Sequence, residues 1–156
     1  MELVFLCRQE FKPVSSDNYF GSVAFMMERD AFSQWLGIEI MDLGKGFCRL
    51  RMKVREEMTN GFGIAHGGIC FSLADTCLAF AANTHGNLSL TLKADISWPE
   101  PVKAGEVLLA ESKELALSSK SGTYDVTVWR EGSSNPVALF RGMVFRTGRP
   151  VIENES

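Results

Sequence analysis

From Met58 to Leu92 the chain carries a single formally charged side chain, Asp75. Inside that stretch, GGICFSLADTCLAFAAN (residues 67–83) is apolar on nearly every face. It opens at His66-Gly67-Gly68 and stops at Asn83 with Gly86 soon after, which predicts a helix over 67–83. A helix that is apolar all round has to be wrapped by other structure. This one is shorter than the roughly 20 residues of a bilayer span and carries an acid, so protein rather than lipid must wrap it. The rest of the chain therefore has to supply the wrapping.

That remainder reads mostly as strands. Ser22–Leu36 has helical spacing, with Phe25, Met26, Arg29, Phe32 and Leu36 three and four residues apart and Gly37 ending it. GIEIMDLGKGFCRLRMKV reads as a hairpin around Gly-Lys-Gly. Further strands are expected at 88–98, 107–117, 123–130 and 137–146, with Ser118–Gly122 and Glu131–Asn135 as turns. In the third, Tyr124, Val126 and Val128 alternate with Asp125, Thr127 and Trp129. Five or six turn-linked strands around one helix give an α+β fold, a long antiparallel sheet curled around its helix. The length of 156 residues suits one domain. We divide the chain into an N-terminal extension (1–22), the domain (23–148) and a tail (149–156). The first boundary follows a turn-rich break at Pro13, Ser15, Ser16, Asp17 and Asn18.

Composition removes several function classes. The net charge of −3 gives no basic surface for nucleic acid. No apolar run suits a membrane span, and the N-terminus lacks a basic start before a long apolar region, so a cytoplasmic protein is expected. Cys7, Cys48, Cys70 and Cys77 fit no zinc spacing, and there are only two histidines, His66 and His85. No metal site and no cofactor are expected, and the thiols read as small buried groups in a reducing compartment.

Chemistry concentrates around the apolar helix. A buried, unpaired carboxylate costs several kcal/mol, so Asp75 needs a reason to be there. Either it activates water or attacks a carbonyl, or it faces a subunit boundary or caps backbone amides. Free amides at a helix start carry partial positive charge, and Gly67 lets a ligand approach closely. A thioester carbonyl bound there would have its developing oxyanion stabilised; alternatively, Gly67 and Gly68 only ease a tight turn. Asn60 lies in the loop TNGFGIAHGG, where its amide can donate to a carbonyl or accept from a water, or simply form a turn. His66 either bonds the ligand or, as we prefer, supports the Asn60 loop.

Spacing constrains how these groups combine. Gly67 and Asp75 are eight residues apart in one helix, roughly 12 Å along its axis at ~1.5 Å per residue. A base or nucleophile acts within about 3 Å of its target. If both serve one reaction, they come from two chains, with antiparallel central helices across a two-fold axis and two sites per dimer. Other candidates are weaker. Ser72 has no neighbouring histidine in sequence. Cys70 and Cys77 read as core. Gly61 and Gly63 lack the rest of a nucleotide fingerprint. His85 suits the helix C-terminus on electrostatic grounds alone.

Residues about 23–147 resemble the phenylacetic-acid-degradation (PaaI-type) thioesterases of the hotdog superfamily. The matching stretches are MMERDAFSQWLGIEI, MTNGFGIAHGGICFSLADT, NTHG, WPEPVKAGE and GTYDVTVW followed by ALFRG. The resemblance implies a hotdog fold, with edge-to-edge sheet pairing into homodimers and often homotetramers. It implies Asp75, from the partner chain, as nucleophile or as the base activating water. It implies Gly67 as the amide that polarises the thioester carbonyl, and Asn60, supported by His66, as the group that positions carbonyl or water. In some relatives a hydroxyl on the strand after the helix assists, and Thr91 is the nearest counterpart. Gly68 would border the substrate. Lys93, Lys120 and Arg141 are candidates for CoA phosphates, though ordinary surface roles suit them equally.

The expected reaction is hydrolysis of an acyl-CoA to free acid and CoA, with CoA part of the substrate. The acyl group stays open between aryl, such as phenylacetyl or hydroxyphenylacetyl, and medium-chain. Phe62 and Ile64 suit a ring and suit core packing equally. Two rivals remain: a hotdog hydratase or dehydratase, which needs a histidine on the substrate carbon, and a non-catalytic acyl-CoA-binding module, which would keep Gly67 without needing Asp75.

Overall fold

The computed structural model describes residues 19–153. Two short helices come first, α1 (Tyr19–Arg29) and α2 (Ala31–Leu36). The single helix expected over 22–36 is thus broken at Asp30. The Asp30 carboxylate accepts the Ser33 N–H at 2.9 Å and caps a new helix start. Gly37 ends α2 in the left-handed region, at φ 73°.

The sheet is built from β1 (Glu39–Gly44), β2 (Phe47–Lys53), β3 (Asn87–Ser97), β4 (Val107–Leu117), β5 (Ser121–Arg130) and β6 (Pro136–Pro150). Their order is β1-β2-β4-β5-β6-β3, and every pairing is antiparallel. Between β2 and β3 the chain forms a short 3-10 helix (Glu56–Met58), a loop, and the long α3 (Gly67–Asn83). The α3 segment therefore carries the chain from one side of the sheet to β3, the edge strand at the far side.

Period-two alternation decides which side chains meet α3. Leu50, Met52, Leu108, Ala110, Tyr124, Val126, Val128 and Val144 point inward and are buried, as are Leu73, Ala74, Cys77, Leu78, Phe80 and Ala81 of α3. Gly142 on β6 lets the helix lie close, because a Cβ there would sit 2.5 Å from Leu78 Cδ2 and 2.9 Å from Phe140 Cε1.

The sheet wraps only part of α3. Gly68, Phe71, Ser72, Asp75, Thr76 and Ala79, three and four residues apart, form a partly exposed stripe. The helix is apolar all round in sequence, yet within one chain one face stays open.

The expected boundary at 22/23 falls inside α1, whose Ser22 and Val23 are buried and which packs on α3. The expected tail begins too early: β6 runs to Pro150, and buried Val151 donates its N–H to Gly86 O at 3.1 Å. Cys7 and the turn-rich break at 13–18 lie outside the described residues.

Candidate active site

The start of α3 is arranged so that one amide is left over. His66 is extended, and its Nδ1 accepts the Gly68 N–H at 3.0 Å. Its carbonyl accepts the Ile69 N–H at 2.8 Å. Among the described residues the Gly67 N–H has no acceptor. Helix starts leave donors unsatisfied, and here capping by His66 narrows the first free donor to Gly67. The Gly68 amide is therefore committed to His66, and Gly68 can offer a substrate only its small size. His66 is a capping residue; with Nδ1 occupied, it is not aimed as a free base, which counts against the hydratase alternative.

The preceding loop is tied to itself. Asn60 N donates to Ile64 O at 2.7 Å, Gly63 N to Asn60 O at 3.0 Å, and Phe62 N to Asn60 Oδ1 at 2.9 Å. This last bond occupies the Asn60 side-chain carbonyl and leaves Nδ2 as a donor. Ala65 N bonds Val102 O at 2.7 Å, and His66 N bonds Met58 O at 2.8 Å, which fixes the loop against its neighbours. A cleft of about 320 Å³ results, lined by Asn60, Ile64, Gly67, Cys70, Trp98 and Val102 among others.

Asp75 lies outside this cleft, two turns further along α3 on the open stripe. It is half-buried, and Thr91 Oγ1 donates to its Oδ1 at 2.9 Å. Burial pushes the Asp75 carboxyl above the ordinary aspartate value of 3.8, and the Thr91 hydrogen bond partly opposes this. A carboxylate raised in this way is a stronger base. Thr91 is exposed on β3, paired opposite Val144, and its hydroxyl reaches across to Asp75 on the open stripe of α3.

The remaining candidates separate cleanly. Ile64 lines the cleft, whereas Phe62 is 91% exposed at the loop tip and packs in no core. Ser72 Oγ donates to Gly68 O at 2.7 Å and has no histidine partner. Burial raises the Cys70 thiol to about 11 and pushes Cys77 well up, so both are inert thiols. Cys48, Cys70 and Cys77 are free and buried. Among the described residues, no cluster of three His, Cys, Asp or Glu side chains could hold a metal ion.

The three basic candidates are not alike. Lys93 is exposed on edge strand β3, and Lys120 is exposed at the β4–β5 turn. Arg141 is already paired: its Nε and Nη2 reach the two Asp125 oxygens at 2.6 and 2.8 Å. It is not the free cation the sequence allowed. His85 does more than sit at a helix end, since its Nε2 is 2.6 Å from Glu114 Oε2, which also accepts the Tyr124 hydroxyl at 2.7 Å.

The family model described as Thioesterase superfamily matches residues 62–137. The acyl-coenzyme A thioesterase PaaI of Escherichia coli K12 is 37% identical over 123 residues, 79% of this chain and 87% of that protein. The solved E. coli PaaI structure, from the phenylacetic acid degradation operon, matches with a TM-score of 0.82 at 34% identity, over 85% of this chain and 96% of that one. The chain belongs to the PaaI-type thioesterase family of the hotdog superfamily.

More distant members agree. Human acyl-coenzyme A thioesterase 13 is 33% identical over 92 residues, 54% of this chain and 64% of that protein. A Streptococcus mutans protein solved with acetyl-CoA bound matches with a TM-score of 0.69 at 26% identity, over 72% of this chain and 90% of that one. The α+β hotdog architecture expected from the sequence is the one observed. Family membership was legible in the motifs; Trp98 was not. Its ring lies against Gly67, and its Nε1 donates to Gly67 O at 3.2 Å. The Trp-Pro-Glu-Pro run was the available signal, but Trp98 read only as the end of the strand expected at 88–98 and the run only as a stretch matching the family.

Proposed function

We propose that this protein hydrolyses an acyl-CoA thioester to the free acid and CoA, in a site shared by two copies of the chain. The observation that carries this is the separation of two half-sites on one helix. A free amide at Gly67 faces a cleft, and a basic carboxylate at Asp75 lies roughly 12 Å away on an open face. One copy supplies Gly67 and Asn60, and the second supplies Asp75.

The thioester carbonyl oxygen accepts the Gly67 N–H, which draws electron density from carbon and stabilises the oxyanion that forms. Asn60 Nδ2 holds the carbonyl or the attacking water. Asp75 of the second copy either takes a proton from that water or attacks the carbonyl carbon itself, giving an anhydride that water then opens. In either route the C–S bond breaks and CoA leaves as the thiol once protonated. Thr91, hydrogen-bonded to Asp75, keeps the carboxylate oriented and favours its charged form. The reaction uses neither metal nor cofactor in this reading.

Two copies join through β3 in this reading. Among the described residues its outer edge has no strand neighbour, and Leu90 and Leu92 are exposed along it. Unpaired edges of this kind invite strand addition. Edge-to-edge pairing yields a homodimer with antiparallel α3 helices, and two dimers make the homotetramer. Lys93 and Lys120 are the cations available for CoA phosphates. The acyl group is aryl, such as phenylacetyl, or medium-chain. None of the described helices is long and apolar enough to cross a membrane, and free buried thiols suit the cytoplasm.

The test is free-thiol release over a panel of acyl-CoAs, paired with the oligomeric state in solution. Asp75→Ala should abolish turnover of the best substrate. Undiminished turnover in that variant, or full activity in a monomer, would remove the assigned mechanism. Binding of several acyl-CoAs without cleavage of any would make the protein a binding module.

A further inference from the structure

The cleft beside Gly67 has one wall that no catalytic role explains. Trp98, Pro99, Glu100 and Pro101 form that side. We propose that Trp98 is the specificity-determining residue, the wall that limits the acyl group; this rests on the thioesterase reading above.

The cleft's chemistry selects the acyl group over the pantetheine arm. Apart from Asn60 and Glu100, its lining side chains are apolar or carry only a thiol or an indole, and its floor is closed by Cys70 and Val102, each 3% exposed. Glu100 is engaged, since Arg130 Nη1 donates to it at 2.6 Å. The amides of a pantetheine arm would lose water there and find few partners, which costs free energy. An acyl chain loses nothing polar. The carbonyl oxygen at Gly67 then sits at the mouth, with the acyl group inside and the sulfur outside.

Trp98 is half-exposed, at 49%, and is tethered to the start of α3 on its cleft side. The indole N–H bonds Gly67 O, and ring carbons Cε2 and Cζ2 lie 3.3 and 3.4 Å from where a Cβ on Gly67 would be. The proline rings fix the backbone on either side of Glu100. Arg130 strengthens the same loop through Glu100, through Glu106 Oε1 at 3.1 Å, and through the Pro101 carbonyl. Arg130 does not line the cleft, so it is a positioning residue acting through the loop. An acyl group entering the cleft passes between the tethered indole and the Ile64–Cys70 side, and a long or branched one presses on the ring.

The experiment measures kcat/KM by thiol release for acetyl-, hexanoyl-, decanoyl- and phenylacetyl-CoA in the parent, Trp98→Ala, Trp98→Phe and Arg130→Gln. In Trp98→Ala the ratio for decanoyl- over acetyl-CoA should rise about tenfold, the scale at which hydrophobic pockets discriminate size. Trp98→Phe keeps a ring without the N–H and should retain a ratio near the parent's while lowering kcat. Arg130→Gln should shift the ratio in the same direction as Trp98→Ala, through KM for the long substrate and not for acetyl-CoA. An unchanged ratio in Trp98→Ala, with every substrate altered by one factor, overturns the proposal. Affinities of the matching uncleavable thioethers, by calorimetry, give the same ratio without turnover. A parent that cleaves nothing refutes the thioesterase reading, while the thioether ratio still decides the role of Trp98. Should Trp98→Ala fail to fold, the same ratio is read in Trp98→Leu and Arg130→Gln, where a rise supports the wall and an unchanged value overturns it.

Discussion

Replacing Thr91 by Val keeps the shape of the side chain and removes its hydroxyl. In the parent that hydroxyl donates to Asp75 Oδ1 at 2.9 Å. A hydrogen bond to a charged group contributes about 1.5–3 kcal/mol. Thr91 is exposed, so solvent screens the bond and the lower figure applies. At ~1.4 kcal/mol per factor of ten, Thr91→Val should lose roughly tenfold in kcat at neutral pH. The pH dependence separates two causes. Burial raises the Asp75 carboxyl, and Thr91 opposes that by favouring the ionised form. Without Thr91 the carboxyl rises further, and the acidic limb of the rate profile moves to higher pH. If charge were the whole role, the variant would regain parental activity on the alkaline plateau; a deficit that persists there measures lost orientation. Thr91→Ser should restore both. The assay is thiol release across pH with saturating substrate. A Thr91→Val enzyme with the parent's rate and an unmoved acidic limb would refute the assignment of Thr91 to Asp75.

Three further outcomes are expected. Gly142→Ala drives a Cβ to 2.5 Å from Leu78 Cδ2; overpacking of this kind costs about 1–3 kcal/mol, read as a melting temperature lower by roughly 2–12 °C. His66→Ala removes the cap on the Gly68 N–H, costing about 1 kcal/mol of stability, and frees a second amide that competes for the carbonyl, so kcat falls more than KM rises. Burial pushes the Glu114 carboxyl up, yet hydrogen bonds from Tyr124 and His85 outweigh it and hold it below the ordinary 4.5. Its contribution is present above that ordinary value and is lost as pH falls through the lower folded value. Thermal melts of Glu114→Gln should therefore decline less on acidification than those of the parent.

The parts of the fold legible in sequence are those with one strong periodicity. Residues 67–83 form the expected helix because the apolar run, the His66-Gly67-Gly68 start and the stop at Asn83 all agree, and the structure adds a cap from the His66 side chain. The strand at 123–130 was legible because alternating burial leaves an alternating pattern. Asp30 was missed because an acid inside an amphipathic pattern reads as the solvent face, while its bond to Ser33 needs a break. The open stripe on α3 was invisible for a different reason: Asp75, Ser72 and Thr76 are few, and their apolar neighbours read as core. Gly67 and Asp75 were readable as candidates from charge and spacing. That Gly67 keeps the free amide depends on the His66 rotamer, and the Trp98 wall depends on a contact across 31 positions.

The shared site is tested most directly by mixing two inactive variants, Asp75→Ala and Asn60→Ala, through co-expression. A mixed dimer then holds one site with Asn60 from the first chain and Asp75 from the second, both intact, and one site lacking both. Random pairing makes half the dimers mixed, each with one of its two sites working, so about a quarter of the parent's activity should return. Activity no greater than that of the two variants assayed separately would contradict the account, since Asp75 would then serve only its own chain.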